Sequence, residues 1–259
     1  MKKNNIKYFT CKDFLNKKII YGFFSRNGGN SKKPFDSLNC SLSSEDKYDN
    51  VKKNIDSAKN ILKLNNINLK LVNQMHGTNI EIINENNLQK KIIADGIISQ
   101  SKNISLAILT ADCAPIFLID PEYSMICALH AGWRGCLNNV CQNAVIKIKK
   151  MNKFKKNMIA LIGPCLNQIN FEVDYKFVDS FKKEDMEYSK YFKKNNENKK
   201  YFFDMRGLIE YQLNSLSINQ VFHVNLDTFS EKGLFFSHRR AHKNNELPTG
   251  RMINIIGFK

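Results

Sequence analysis

The chain has 259 residues, 42% of them apolar, and a formal charge of +16. That length can bury a sizeable core, and no apolar run is long enough to span a bilayer. Its seven cysteines are odd in number, irregularly spaced and without a CxxC pair, which argues against a disulfide framework and fits a reducing compartment. The opening MKKNNIKYFTCKDFLNKK is basic but has no continuous apolar segment leading to a cleavage site, so a cytoplasmic protein that does not engage a membrane is expected. No Gly-, Ser- or Pro-rich linker divides the chain, and one domain over 1–259 is the simplest organisation.

The positive charge raises nucleic acid as a partner. The lysines, however, alternate with asparagines all along the chain, in NENNLQKK, KIKKMNKFKKN and KKNNENKK alike. A nucleic-acid footprint would cluster and interleave aromatics on one face. The pattern here reads as a solvated basic surface, so no specific nucleic-acid partner is expected. A basic nucleic-acid-binding protein is the alternative that charge alone would suggest.

In chain order, Lys18 to Phe24 predicts a strand running into Ser25-Arg26-Asn27-Gly28-Gly29-Asn30-Ser31. In that loop the backbone can approach a ligand and the Arg26 guanidinium offers a fork of donors to phosphate or carboxylate. Val51, Ile55, Ala58 and Leu62 describe one face of a helix. Asn68 to Gln74 and Ile80 to Ile83 predict strands flanking a tight turn at Met75-His76-Gly77-Thr78, and Ile92 to Ile98 leads into the central stretch with Ala94-Asp95-Gly96 inside it.

That central stretch organises the chain. Leu106 to Leu109 and Pro115 to Ile119 are short apolar runs of the kind found in buried strands, separated by Thr110-Ala111-Asp112-Cys113-Ala114. A third run, Met125 to Leu129, ends at His130 and is followed by a turn at Ala131-Gly132-Trp133-Arg134-Gly135, then by helical spacing through Val140, Ala144 and Ile148. Further on come a strand from Met158 to Ile162 ending in Gly163-Pro164-Cys165, a helix around Tyr175 to Phe181, and a Lys/Asn-rich connection. Asp204 caps a helix whose face is Leu208, Leu213 and Leu216. Val221 to Val224 and Met252 to Ile256 are late strands, with Phe236-Ser237-His238-Arg239-Arg240 and Thr249-Gly250-Arg251 between them. Strands and helices mixed in this way predict an α/β (α+β) fold of mixed sheets flanked by helices, with His76, Cys113 and His130 each at a strand end.

Those three residues allow different chemistries. Two imidazoles and a thiolate suit one zinc and leave a position for water, which zinc activates near neutral pH. Alternatively, Cys113 is a nucleophile and His130 its base, which requires a lowered thiol pKa and an oxyanion hole such as the Gly132 turn would provide. They are equally consistent with a buried cysteine and two unrelated histidines. Spacing alone does not choose, because no compact ligand motif such as HExxH is present.

The phrases Gln74-Met75-His76-Gly77, Ala94-Asp95-Gly96, Thr110-Ala111-Asp112-Cys113-Ala114-Pro115, His130-Ala131-Gly132-Trp133-Arg134-Gly135, Gly163-Pro164-Cys165, Phe236-Ser237-His238-Arg239-Arg240 and Thr249-Gly250-Arg251, with Ser25-Arg26-Asn27-Gly28-Gly29 and Ser37-Leu38-Asn39 before them, resemble the purine nucleoside phosphorylase family of laccase-domain proteins. That family was formerly described as multicopper polyphenol oxidases. The resemblance runs in order along nearly the whole chain. It implies a single domain in which His76, Cys113 and His130 hold zinc (copper less readily), and phosphorolysis of adenosine, inosine and S-methyl-5'-thioadenosine with adenosine deaminase activity beside it. A multicopper oxidase needs far more histidines than the five present. Bacterial relatives are also linked to peptidoglycan editing, where a Cys/His amide hydrolase is the alternative.

On this reading purine nucleosides and phosphate are the partners. Asp112 is a candidate proton shuttle by position, and Arg26, then Arg240, are candidates for holding phosphate. The chain departs from the family pattern at Asn39-Cys40-Ser41, at Leu166 after Cys165, and at Asp227-Thr228. None of these touches the expected ligands, but loops at those places would shape the pocket rim.

Overall fold

The fold is taken from a computed structural model that describes residues 5–259 apart from 15, 17 and 197. Part of the basic opening segment and one residue of the Lys/Asn-rich connection therefore lie outside the described residues. In chain order the strands are β1 (Tyr8–Phe9), β2 (Ile19–Phe24), β3 (Asn68–Lys70), β4 (Ile80–Ile83), β5 (Gly96–Ser99), β6 (Ile104–Thr110), β7 (Ala114–Ile119), β8 (Ile126–Ala131), β9 (Ile159–Ile162), β10 (Glu172–Val173), β11 (Phe192–Lys194), β12 (Tyr201–Phe203), β13 (Gln220–His223) and β14 (Met252–Phe258). The α-helices are α1 (Tyr48–Ile61), α2 (Trp133–Leu137), α3 (Val140–Lys150), α4 (Tyr175–Glu184), α5 (Met205–Ser215) and α6 (His238–Lys243). No helix among the described residues is long and apolar enough to cross a membrane.

Two mixed sheets carry the molecule, one ordered β1-β2-β14-β6-β3 and the other β13-β9-β7-β8-β5-β4. Strand alternation explains how they stack, since successive side chains leave opposite faces. Phe117 and Ile119 of β7 point into a core shared with Tyr21 and Phe23 of β2 and with Leu106 and Ile108 of β6, whereas Ile116 and Leu118 pack against α3 and α5 through Val140, Ala144, Ile148 and Leu208. On the outer face of the other sheet, Ala107, Ile253 and Ile255 meet Val51, Ile55 and Ala58 of α1. The result is helix, sheet, sheet, helices. A small third sheet, β10-β12-β11, extends the helical side.

Most expected elements are present, with instructive differences at the edges. The strand expected over Asn68 to Gln74 stops at Lys70, because the Gln74 side chain takes over the pairing: it donates to Leu109 O at 2.8 Å and accepts from Leu109 N at 2.8 Å. The strand expected from Ile92 begins only at Gly96. His130 lies inside β8 rather than after it, paired with Pro115. Trp133, Arg134 and Gly135 form α2 rather than a turn, and Asn139, in the left-handed region at φ 56°, separates α2 from α3. Its side chain accepts a hydrogen bond from the Tyr188 hydroxyl at 3.0 Å. Asp204 caps α5 as its position predicts, accepting from Gly207 N at 2.9 Å.

Phe23 and Phe117 stack across the two sheets, ring centroids 4.9 Å apart and 9° from parallel, both fully buried. Phe117→Ala removes this contact in a layer with no room to collapse, and is expected to cost about 3–5 kcal/mol of stability by urea unfolding. A loss under about 0.5 kcal/mol, as for a surface substitution, would mean that the two sheets do not depend on this contact.

Candidate functional site

The sheets bring His76, Cys113 and His130 together, with one ligand atom from each lying within 4.8 Å of the others. Among the described residues this is the one group of its kind. His130 is buried, Cys113 partly so, and His76 is exposed at the rim. The rings of His76 and His130 meet edge-on with centroids 4.8 Å apart.

Asp95, immediately before β5, holds this arrangement. Its Oδ1 lies 2.7 Å from His130 Nδ1, and its main-chain oxygen accepts from His130 N at 2.7 Å. The same carboxylate accepts from the backbone N–H groups of Met75 (3.1 Å), His76 (2.9 Å) and Gly77 (2.7 Å). These bonds sustain the left-handed conformation of His76, φ 58°, which a residue with a Cβ adopts reluctantly. One buried carboxylate thus aims the imidazole of His130 from behind and shapes the turn that carries His76.

Gly132 supplies the space. A Cβ there would stand 3.1 Å from Cys113 Sγ and 3.1 Å from His76 Cδ2, and 3.9 Å from His130 Cε1. The chain therefore passes the cluster with bare backbone. Cys113 is delivered by the turn between β6 and β7, in which Asp112 has φ 90°.

The three side chains also set one another's charge. Desolvation opposes ionisation of the Cys113 thiol, but the adjacent His130 charge and hydrogen bonds from both imidazoles outweigh it and bring Cys113 down to about 6. Burial disfavours the His130 cation, yet the Cys113 thiolate and the Asp95 hydrogen bond raise it to about 9. Asp95 is itself held below the ordinary carboxylate range: burial pushes it up, and hydrogen bonds from His130 and the Gly77 N–H more than offset this. The other six cysteines are all raised, by burial above all. Two imidazole nitrogens and a thiolate, presented by one strand and two braced turns, backed by a carboxylate and cleared by a glycine, fit a metal ion.

The remaining expected site residues are engaged elsewhere. Asp112 Oδ1 accepts from the Thr228 hydroxyl at 2.6 Å and Oδ2 from Arg239 N at 2.6 Å, so the carboxylate ties the β6–β7 turn to α6. Arg240 donates to the carbonyls of Thr228, Phe229 and Phe235 at 2.6–2.7 Å, which occupies its fork. Arg26 donates through Nε to Asp36 O at 2.7 Å, pairs with the Asp36 carboxylate at 3.2 Å, and lies over the Phe236 ring at 4.4 Å. Its loop is packed, since a Cβ at Gly29 would meet Ser37 O at 2.1 Å.

An open cleft of about 410 Å³ is lined by Trp133, Phe171, Phe177 and Arg239 among others. Trp133 follows Gly132 in the chain, and Arg239 bonds Asp112, the neighbour of Cys113. Residue order shows neither the role of Asp95 nor this cleft, although Ala94-Asp95-Gly96 stands out as a phrase.

The fold and the cluster define a class: an α/β protein with paired sheets and a two-histidine, one-cysteine site at the strand ends. Residues 20–259 match the family model described as multi-copper polyphenol oxidoreductase laccase, and the chain belongs to that family. A purine nucleoside phosphorylase of Rickettsia prowazekii is 30% identical, covering 95% of this chain and 98% of that protein. The Bacillus subtilis purine nucleoside phosphorylase YlmD is 31% identical over 94% of this chain and 90% of its own length. Among solved structures, a Neisseria meningitidis protein superposes with a TM-score of 0.85 at 25% identity, covering 99% of this chain and all of that one. The Bacillus licheniformis protein YfiH gives 0.83 at 28% identity, with 93% of each chain covered. Of the five histidines, His76 and His130 are the two that fall in a candidate metal-binding group among the described residues.

Two measurements test the site. Asp95→Asn keeps the shape and loses the charge behind His130; with zinc as the probe ion, affinity in chelator competition is expected to fall about ten- to a hundredfold, and unchanged affinity would remove Asp95 from the site. In metal-free protein at pH 7, Cys113 is expected to be the one cysteine alkylated rapidly by iodoacetamide, with the rate falling as pH drops through about 6 and zinc protecting it. Equal labelling of several cysteines, or a rate that rises only near pH 8.5 or above, would refute the thiolate.

Proposed function

We propose that this chain is a zinc-dependent purine nucleoside phosphorylase acting on adenosine, inosine and S-methyl-5'-thioadenosine, and that the same site deaminates adenosine. The observation that carries the reading is the His76–Cys113–His130 cluster, braced by Asp95; a cleft that Trp133 and Arg239 help to line has aromatic walls that suit a purine. Relatives named purine nucleoside phosphorylases, alike over most of the chain, support it.

His76 Nε2 or Nδ1, Cys113 Sγ and His130 Nε2 would hold the ion. When bound, zinc supplies Lewis acidity and lowers the pKa of a water molecule it holds. The chain's residues do the rest. Asp95 fixes His130 in the tautomer that leaves Nε2 free, because Nδ1 is committed to the carboxylate. Trp133, Phe171 and Phe177 offer faces to the base. Guanidinium groups near Asp112 provide a positive field that draws in an anionic co-substrate.

A second reading has its own observation. Cys113 and His130, with the thiol near 6 and the imidazole near 9, form the thiolate–imidazolium pair of a cysteine amide hydrolase.

One experiment separates them. Metal content is measured on protein purified without chelators, and products from adenosine and inosine are identified with and without phosphate. Free base and sugar 1-phosphate are expected only when phosphate is present, inosine is expected from adenosine without it, and stripping zinc is expected to abolish both. Absence of base release by zinc-loaded protein would overturn the phosphorylase assignment, and amide hydrolysis that survives zinc removal would favour the thiol enzyme.

A further inference from the structure

The arginines around the β6–β7 turn have negative groups nearby but none in contact with their side chains. Arg239, Arg240 and Arg251 all feel the charge of Asp112, Arg239 also that of Glu172, Arg240 those of Glu246 and Asp227, and Arg251 that of Cys113, and both Asp112 oxygens are already taken by Thr228 and the Arg239 N–H. Among the described residues, none of these three side chains has a carboxylate within ion-pair distance; the one arginine that does is Arg26, with Asp36. Glu172, on the cleft, is likewise occupied, by Lys200 at 2.9 Å. Half-buried guanidinium groups with no contacting carboxylate are costly unless backbone carbonyls or an anion complete them.

Within that cluster the arginines are not equivalent. Arg240 spends both terminal nitrogens on carbonyls. Arg239 donates Nη1 to Glu172 O at 2.8 Å and lies over Phe171; its Nε and Nη2 also lack an acceptor among the described residues, but its side chain lines the aromatic cleft. Arg251 is placed by the sheet itself: Met252 pairs with Thr110 in the β14–β6 ladder, which puts Arg251 opposite Ala111, at the mouth of the turn that carries Asp112 and Cys113. Its backbone is pinned on both sides, N–H to Asn39 Oδ1 at 3.0 Å and carbonyl from Cys40 N at 3.1 Å. Its Nη1 is held by the carbonyls of Thr249 and Gly250 at 2.9 and 3.0 Å. Nε and Nη2 have no hydrogen-bond acceptor among the described residues. A guanidinium gripped at one nitrogen with its other edge open is preorganised for two parallel bonds to one tetrahedral oxyanion.

We propose that Arg251 is the phosphate-binding residue of this site, in place of Arg26 and Arg240, its open Nε/Nη2 edge holding inorganic phosphate beside Cys113. This rests on the phosphorolysis reading. In that reaction a phosphate oxygen bonds to C1′ of the ribose as the C1′–N9 bond breaks. The bond pair leaves with the base, and the proton of hydrogen phosphate ends on the base, so that inosine and hydrogen phosphate give hypoxanthine and ribose 1-phosphate. Arg251 positions the attacking anion and takes no proton. Deamination has no phosphate in it and does not need this edge.

The test uses zinc-loaded full-length protein and its Arg251→Lys and Arg251→Gln variants. For each, zinc content and circular dichroism are recorded, binding of inorganic phosphate is measured by calorimetry, and the KM for phosphate, the KM for inosine and the deamination rate are determined separately. Arg251→Lys keeps the charge and loses the fork, and is expected to raise the phosphate KM and the calorimetric Kd roughly ten- to a hundredfold while the inosine KM and deamination change little. Arg251→Gln is expected to go further in the same direction. Should Arg251→Gln fail to fold, Arg251→Lys carries the test alone. Unaltered phosphate affinity in a folded variant, equal losses in both reactions, or binding of adenosine monophosphate without binding of inorganic phosphate would each overturn the assignment. If the parent protein binds phosphate, loses it on substitution and yet releases no base, the Arg251 seat stands and the phosphorylase reading falls.

Discussion

The carboxylate of Asp95 is the constraint on which the site depends. It is buried, with 1% of its surface exposed, and receives four hydrogen bonds from two separate places in the chain's path: His130 and the three backbone N–H groups of the turn at Met75 to Gly77. A buried carboxylate is costly alone and favourable only when its lone pairs are filled by strong donors. Here the filling of those lone pairs is the same event as the assembly of the site. The β5–β8 pairing of Gly96 with Leu129 sets the neighbouring positions 95 and 130 within reach, so sheet register and ligand orientation cannot be separated.

Around this centre the fold uses rigidity in two forms. Below the cluster, bulky side chains fill both faces of the β7–β8 sheet without charge, and five cysteines sit among them as small apolar groups whose thiols are discouraged from ionising. Cys113 differs from them by its imidazole neighbours rather than by its side chain. Above the cluster, arginines bind backbone carbonyls of the irregular segments between β13 and β14, giving those loops the definition that strands obtain from a ladder. Trp133, next to Gly132, and Arg239, whose N–H bonds Asp112, both line the aromatic-walled cleft.

Much of this was legible in residue order. Apolar runs such as Pro115 to Ile119 and Met158 to Ile162 are strands because their length and branched side chains suit a two-sided buried sheet. The face Val51, Ile55 and Ala58 is helical for the equally local reason of its spacing, and Asp204 caps α5 through a bond to a residue three positions away. His76, Cys113 and His130 stood out as reactive side chain types near strand ends. Trp133 to Gly135 were harder, because a helix of five residues is decided by what it packs on and not by its own propensity.

Long-range pairing decided the rest. Asp112, Arg26 and Arg240 are charged residues next to conspicuous motifs, and nothing local distinguishes a free charge from one already bonded to Thr228, Asp36 or a carbonyl more than a hundred, ten or several positions away. Asp95 was one aspartate among many until the fold placed His130 against it, 35 positions on, and Arg251 acquired its place beside Cys113 only through the β14–β6 register. Periodicity and capping are properties of neighbours and survive in the sequence. The hydrogen-bond partner of a charge is a property of distance in space, and only the tertiary structure contains it.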